Sequence, residues 1–139
     1  MTAHASQEAL TEVSTGIFRL RCPLPFRLDH INLYLLVGSG PTTLVDTGTR
    51  TGQAYRAMTA GLGALGMSVT DLRYIFLTHF HGDHSGSAGR LQRESGAAIL
   101  MDSLEAELLC RFMKLPDEFF DTTVATFYRQ LGLGDERIA

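Results

Sequence analysis

Three of the chain's five histidines, His79, His81 and His84, fall within six positions and share them with one carboxylate, Asp83. They sit in the run Thr78-His79-Phe80-His81-Gly82-Asp83-His84-Ser85-Gly86, directly after Tyr74-Ile75-Phe76-Leu77, whose apolar character reads as a buried strand. A strand interior cannot solvate so many ionisable groups. The turn beyond the strand's carboxyl end can, and it can aim them at one point outside a sheet. Whatever fold this chain adopts must therefore bring a buried strand to a polar, histidine-rich exit.

Imidazole nitrogens with a carboxylate oxygen suit zinc, iron or manganese, and no thiolate is present in the run to demand a softer metal. His79 and His81, two apart, project to one side of extended backbone, and Gly82 allows a tight change of direction so that Asp83 and His84 face a second point close by. A single loop histidine would read as a solvated side chain. Three interlocked with an aspartate crowd like partial charges for no structural return unless they hold something. Two adjacent metal positions are expected, the first held by His79 and His81, the second by Asp83 and His84.

Thr78 to Gly86 resembles the THxHxDHxG motif of the metallo-beta-lactamase superfamily, whose members include class B beta-lactamases, glyoxalase II, N-acyl homoserine lactonases and related thioesterases. Two further stretches are similar to that family in the same order: an early strand with an asparagine, His30-Ile31-Asn32-Leu33-Tyr34-Leu35, and a strand ending in aspartate and glycine, Leu44-Val45-Asp46-Thr47-Gly48. The resemblance implies an α/β fold, the N-terminal half of an αβ/βα sandwich with a mixed sheet covered by helices. It implies a hydrolase holding two zinc ions, with iron or manganese as alternatives, in which metal-activated water attacks an ester, thioester or lactone carbonyl of a small-molecule substrate. Asp83 would be both ligand and catalytic proton acceptor. Asn32 would help to order the edge of the site. Asp46, leaving its strand as a carboxylate, would accept from the ring nitrogens that do not touch metal.

No histidine follows His84. A catalytic zinc normally has three protein ligands, and two metals would share only four side chains here. Family members complete the site with later histidines and a bridging aspartate, so the resemblance implies a partner: a missing C-terminal half or a second protomer. On its own the chain is expected to be inactive. A non-catalytic metal-binding or structural half-domain acting through protein–protein contacts is the alternative.

The chain has 139 residues, 45% of them hydrophobic, enough for one ordinary core, and a single domain is expected. A net charge of −3 gives no basic footprint for nucleic acid or an anionic membrane. No run approaches the roughly 18 apolar residues of a membrane span, and the amino terminus lacks the charged and apolar regions of a signal peptide. Two separated cysteines, Cys22 and Cys110, read as small buried or half-buried thiols and suit a reducing compartment, so a cytoplasmic location is expected.

Alternation and strand formers predict strands over 16–21, 31–37, 42–45, 74–77 and 97–101. Residues 1–14 are expected as a flexible or weakly ordered leader, and Pro23 and Pro25 as breaks in the ladder. Ala54, Met58, Leu62 and Leu65 recur at helical spacing from Thr51 or Gly52 to Leu65, with Thr51 suited to cap the helix and Gly66 to stop it. Residues 61–66 formally satisfy GxGxxG, but they close a helix instead of opening one after a strand, which excludes a dinucleotide loop. Further helices are expected near 85–94, over 103–113 and, with the apolar stripe Phe119, Phe120, Val124, Phe127, Tyr128 and Leu131, over 117–132.

Overall fold

The computed structural model describes residues 9–25 and 27–115, so the helix expected over 117–132 and its aromatic stripe lie outside the described residues. The chain divides into two units, Met1–Glu105 and Ala106–Ala139. The first carries the sheet and the histidine loop.

Six strands form one mixed sheet in sequential order: β1 (Leu10–Ser14), β2 (Ile17–Pro23), β3 (His30–Leu36), β4 (Thr43–Val45), β5 (Tyr74–Leu77) and β6 (Ala98–Met101). The first four pair antiparallel through short connections. β4, β5 and β6 run parallel, because helices intervene: α1 (Gly52–Ala64) between β4 and β5, then the short α2 (Gly82–Ser85) and α3 (Ala88–Ser95) between β5 and β6. This is the α/β mixed sheet with helices that the sequence implies. A final helix, α4, spans Ser103–Phe112.

One local expectation is corrected. Residues 10–14 are not part of a loose leader. Leu10 pairs with Leu20 and Glu12 with Phe18, and a register shift between Glu12 and Ser14 ends the regular pairing; β2 offers an edge whose backbone groups must find partners. Pro23 ends β2 opposite His30, the break in the ladder that the sequence predicts, where a missing donor costs least. The helix reading holds at α1: Thr51 accepts from the Ala54 amide at 3.2 Å, and Gly66, at φ 70°, leaves the helix in the left-handed region.

Alternation sorts the sheet into two faces. Leu20, Cys22, Ile31, Leu33, Leu35, Leu44, Ile75 and Leu77 point to one face, where Ala54, Met58 and Leu62 of α1 and Ala88 and Leu91 of α3 complete a single core. Each fully buried leucine or isoleucine there contributes roughly 1.5–3 kcal/mol, so apolar packing, not the loop, anchors the strands that deliver the site. Gly61 lets α1 approach, since a Cβ there would meet Leu20 Cδ1 at 2.7 Å. At the surface Arg90 of α3 stacks on the ring of Tyr55 of α1, while Glu94 accepts from both, bracing the two helices.

The other face is apolar but uncovered among the described residues. Registers place Tyr34, Val45, Phe76 and Leu100 in one row across β3 to β6, and Ile17, Leu36, Thr43 and Tyr74 in the next. Phe76 and Leu100 are each 43% exposed. No helix of the described residues is long and apolar enough to cross a membrane.

Candidate metal centre

Parallel pairing brings the exits of β4 and β5 side by side, Val45 opposite Phe76, so the residues that follow, Asp46 and Thr78, meet at one sheet edge. Asp46 is 4% exposed and adopts φ 59°, a left-handed conformation that aspartate tolerates better than most side chains. The turn lets its amide donate to Phe76 O at 2.8 Å while its carboxylate folds toward the histidine loop. There Oδ1 accepts from the Thr78 amide at 2.9 Å, and Oδ2 accepts from Thr78 Oγ1 and from His84 Nδ1, both at 2.8 Å.

These bonds determine two tautomers. A carboxylate accepting from an amide and a hydroxyl has only acceptor capacity left, so His84 donates from Nδ1, which in the neutral ring leaves the lone pair on Nε2. Thr78 Oγ1 has one proton, directed to Asp46, and also lies 3.0 Å from His79 Nδ1. Toward His79 it must accept. His79 is therefore also an Nδ1–H tautomer with Nε2 open. One buried carboxylate thus orients two imidazoles, His84 directly and His79 through a threonine.

The rest of the loop is held by backbone and hydroxyl groups. The amides of His84 and Ser85 donate to His81 O at 2.9 and 2.8 Å and wind Gly82–Ser85 into α2. The carbonyl of His84 accepts from both the amide and the hydroxyl of Thr47, at 2.7 and 2.8 Å, and Ser87 Oγ donates to Thr49 O at 2.8 Å. Gly86 sits in the crevice so formed. A Cβ there would lie 2.3 Å from Gly82 O and 2.8 Å from the Arg50 amide. Gly82, by contrast, has open space around its Cβ position and no positive φ, so the close approach that requires glycine lies at Gly86 and not at the change of direction anticipated at Gly82.

The four residues singled out in sequence are brought together. The ring of His79 lies 4.8 Å from that of His81 and 4.0 Å from that of His84, and His84 Nε2 is 3.6 Å from Asp83 Oδ2. Among the described residues, however, no three or more His, Cys, Asp or Glu side chains converge as a metal cage. The planes of His79 and His84 meet at 47°. The donor chemistry nonetheless fits a borderline divalent metal, because the hydrogen bonds just described leave Nε2 of two imidazoles as lone-pair donors next to a half-exposed carboxylate.

Asn32 is placed differently. It is exposed on the face of β3 opposite the core, paired with Arg21 of β2, and its side chain makes no hydrogen bond to the loop. Thr78, Thr47 and Ser87, which do bind the loop or its neighbours, are absent from the sequence-based site. Thr78 alone has a local signal, as the first residue of the motif. Neither cysteine is placed as a nucleophile: burial pushes the Cys22 thiol up to about 11, so it stays protonated beneath Gly48, and Cys110 is exposed on α4 rather than half-buried.

A sequence profile of the metallo-beta-lactamase superfamily matches residues 27–137. The chain is 36% identical over 70 residues to the probable metallo-hydrolase YqjP of Bacillus subtilis, covering 50% of this chain and 22% of that protein. It is 36% identical over 109 residues to ribonuclease Z of Streptomyces coelicolor, covering 77% and 32% respectively. Among solved structures, a metallo-beta-lactamase family protein of Thermus thermophilus superposes with a TM-score of 0.73 at 33% identity, over 84% of this chain and 38% of that one. The chain thus spans about a third or less of the curated relatives it matches.

Proposed function

The chain belongs to the metallo-beta-lactamase superfamily, and from that premise we propose that it carries the metal-binding loop of a metal-dependent hydrolase acting on an ester, thioester or lactone. The observation that carries the reading is the Asp46 carboxylate, which engages Nδ1 of His84 and, through Thr78, Nδ1 of His79, leaving the Nε2 side of both rings for a ligand. In this proposal His79 and His81 hold one divalent ion, zinc by preference, and Asp83 and His84 hold a second. Metal bound there supplies Lewis acidity toward the substrate carbonyl and a water of lowered pKa. Asp83 accepts the proton that the attacking water gives up. Asp46 prevents the histidines from turning the wrong nitrogen outward, at the cost of keeping itself buried and fully bonded.

Four side chains do not complete two metal shells, and the proposal assigns the remaining ligands to protein outside the described residues, either a further segment or a second protomer. The uncovered row of Tyr34, Val45, Phe76 and Leu100 supports this, because a sheet layer with two apolar faces needs cover on both. A single observation favours a second substrate class. Similarity to proteins named ribonuclease Z makes RNA, with a phosphodiester in place of the carbonyl, the rival substrate. The net charge of −3 weighs against it, since RNA is drawn to basic surfaces.

The test is Asp83→Asn in the complete, metal-saturated assembly, assayed on ester, thioester and RNA substrates side by side. The expected outcome is a fall of at least ~100-fold in carbonyl hydrolysis, since ligand charge and proton acceptor are lost together. A near-normal turnover number would remove Asp83 from the chemistry. Wild-type activity confined to RNA would replace the carbonyl with a phosphodiester.

A further inference from the structure

Between the two histidines of the first metal position lies Phe80, and its peptide groups are held from opposite sides. Ser85 Oγ donates to Phe80 O at 2.7 Å, a bond from within the loop. The Phe80 amide donates to Glu105 Oε2 at 3.0 Å, across 25 positions of sequence, from the first turn of α4. Such an acid, early in a helix, ordinarily reads as a dipole or capping residue. At this helix the capping role is already filled: Asp102 Oδ1 accepts from the Leu104 amide at 2.9 Å and faces the Glu105 amide at 3.4 Å. Glu105 is thereby released to bond a remote backbone amide.

We propose that Glu105 is a positioning residue for metal binding: its carboxylate, held at the start of α4, fixes the Phe80 peptide and so the separation and direction of His79 and His81. The inference rests on the reading of His79 and His81 as ligands. Rotation of the Phe80 peptide would swing His79 and His81 relative to each other, since the Phe80 dihedrals lie between them. Ser85 restrains the carbonyl end of that unit and Glu105 the amide end. A charged acceptor on a backbone amide makes a stronger bond than a neutral one, which suits a loop otherwise free to ripple beyond its strand. No proton transfer and no contact with metal is required of Glu105.

The test compares Glu105→Ala, Glu105→Gln and, as a reference, His79→Ala. Cobalt(II) affinity is measured by competition with a chelator, with the visible absorption of the bound ion as a second readout, and amide exchange at Phe80 is measured in metal-free protein. Loss of the acceptor in Glu105→Ala is expected to weaken Co(II) binding about tenfold, to alter the absorption band and to speed Phe80 exchange by a similar factor. Exchange at Ile75 and Leu77 should be unchanged, which shows the strand intact. Glu105→Gln keeps a side-chain oxygen and should restore most of the affinity. If His79→Ala loses Co(II) while Glu105→Ala binds and exchanges like the wild type, the positioning role is overturned and the ligand assignment stands. If His79→Ala itself binds Co(II) normally, the ligand assignment fails and the inference falls with it.

Discussion

Asp46 shows how much one residue can be asked to do. Its left-handed backbone, its burial and its donors from Thr78 and His84 are separate costs that a purely structural turn former would have no reason to combine. Asparagine shares aspartate's tolerance of the left-handed region, so Asp46→Asn should keep the turn while replacing one acceptor oxygen by an NH2 group. That variant can no longer accept from the Thr78 amide, the Thr78 hydroxyl and His84 together, since its NH2 group must face one of these donors. Metal affinity is expected to fall roughly 10- to 100-fold, measured by chelator competition, and equal affinity would show that the carboxylate does not prepare the ligands. The clustering of His79, His81, Asp83 and His84 was legible in the sequence because it is local. The relay through Thr78 was not, since it depends on β4 and β5 lying side by side, a fact of tertiary pairing. Asn32 lies on the exposed face of β3, and its place in a recognisable strand said nothing of which face it would occupy.

At the level of elements, periodicity was a sound guide wherever a segment had a clear apolar side. The α1 stripe of Ala54, Met58 and Leu62, the strand over 74–77 and the parallel crossover between β4 and β5 all follow from it. It was silent at β1, a short edge strand whose pairing depends on β2's free edge more than on its own pattern. It also weighted the wrong glycine. Gly82 looked decisive because a turn was needed there, whereas the three nearest atoms to a Cβ on Gly86 are all backbone, within 3.0 Å, and cannot move aside as a side chain would. Gly86 has φ −59°, so its replacement carries no dihedral penalty and the cost is steric alone. Gly86→Ala is expected to destabilise the protein by roughly 1–3 kcal/mol or more, and Gly82→Ala to stay within about 0.5 kcal/mol of the wild type. Urea denaturation midpoints distinguish them; equal midpoints would mean that the His84 loop does not seat against Gly48 and Arg50 as described.

For the whole molecule, the described residues finish the sheet on one face and leave the other open. The core beneath α1 and α3 was readable because each strand alternates, yet alternation also hid the second apolar layer, since Tyr34, Phe76 and Leu100 fall at positions that would be polar on a face meant for water. The same incompleteness appears at the metal centre, where ligand chemistry is present and a closed cage is not. Both are the observations behind the proposed further segment or second protomer, and the matched stretches make up a third or less of the curated relatives. The claim on which this reading depends is that the His79 loop holds metal. The direct measurement is elemental analysis of the purified protein after zinc loading and removal of excess, beside His79→Ala, His81→Ala and His84→Ala. The expected result is bound zinc in the wild type that is lost or sharply reduced in each variant, with folding preserved by the apolar core. Wild-type zinc content in all three variants would contradict it.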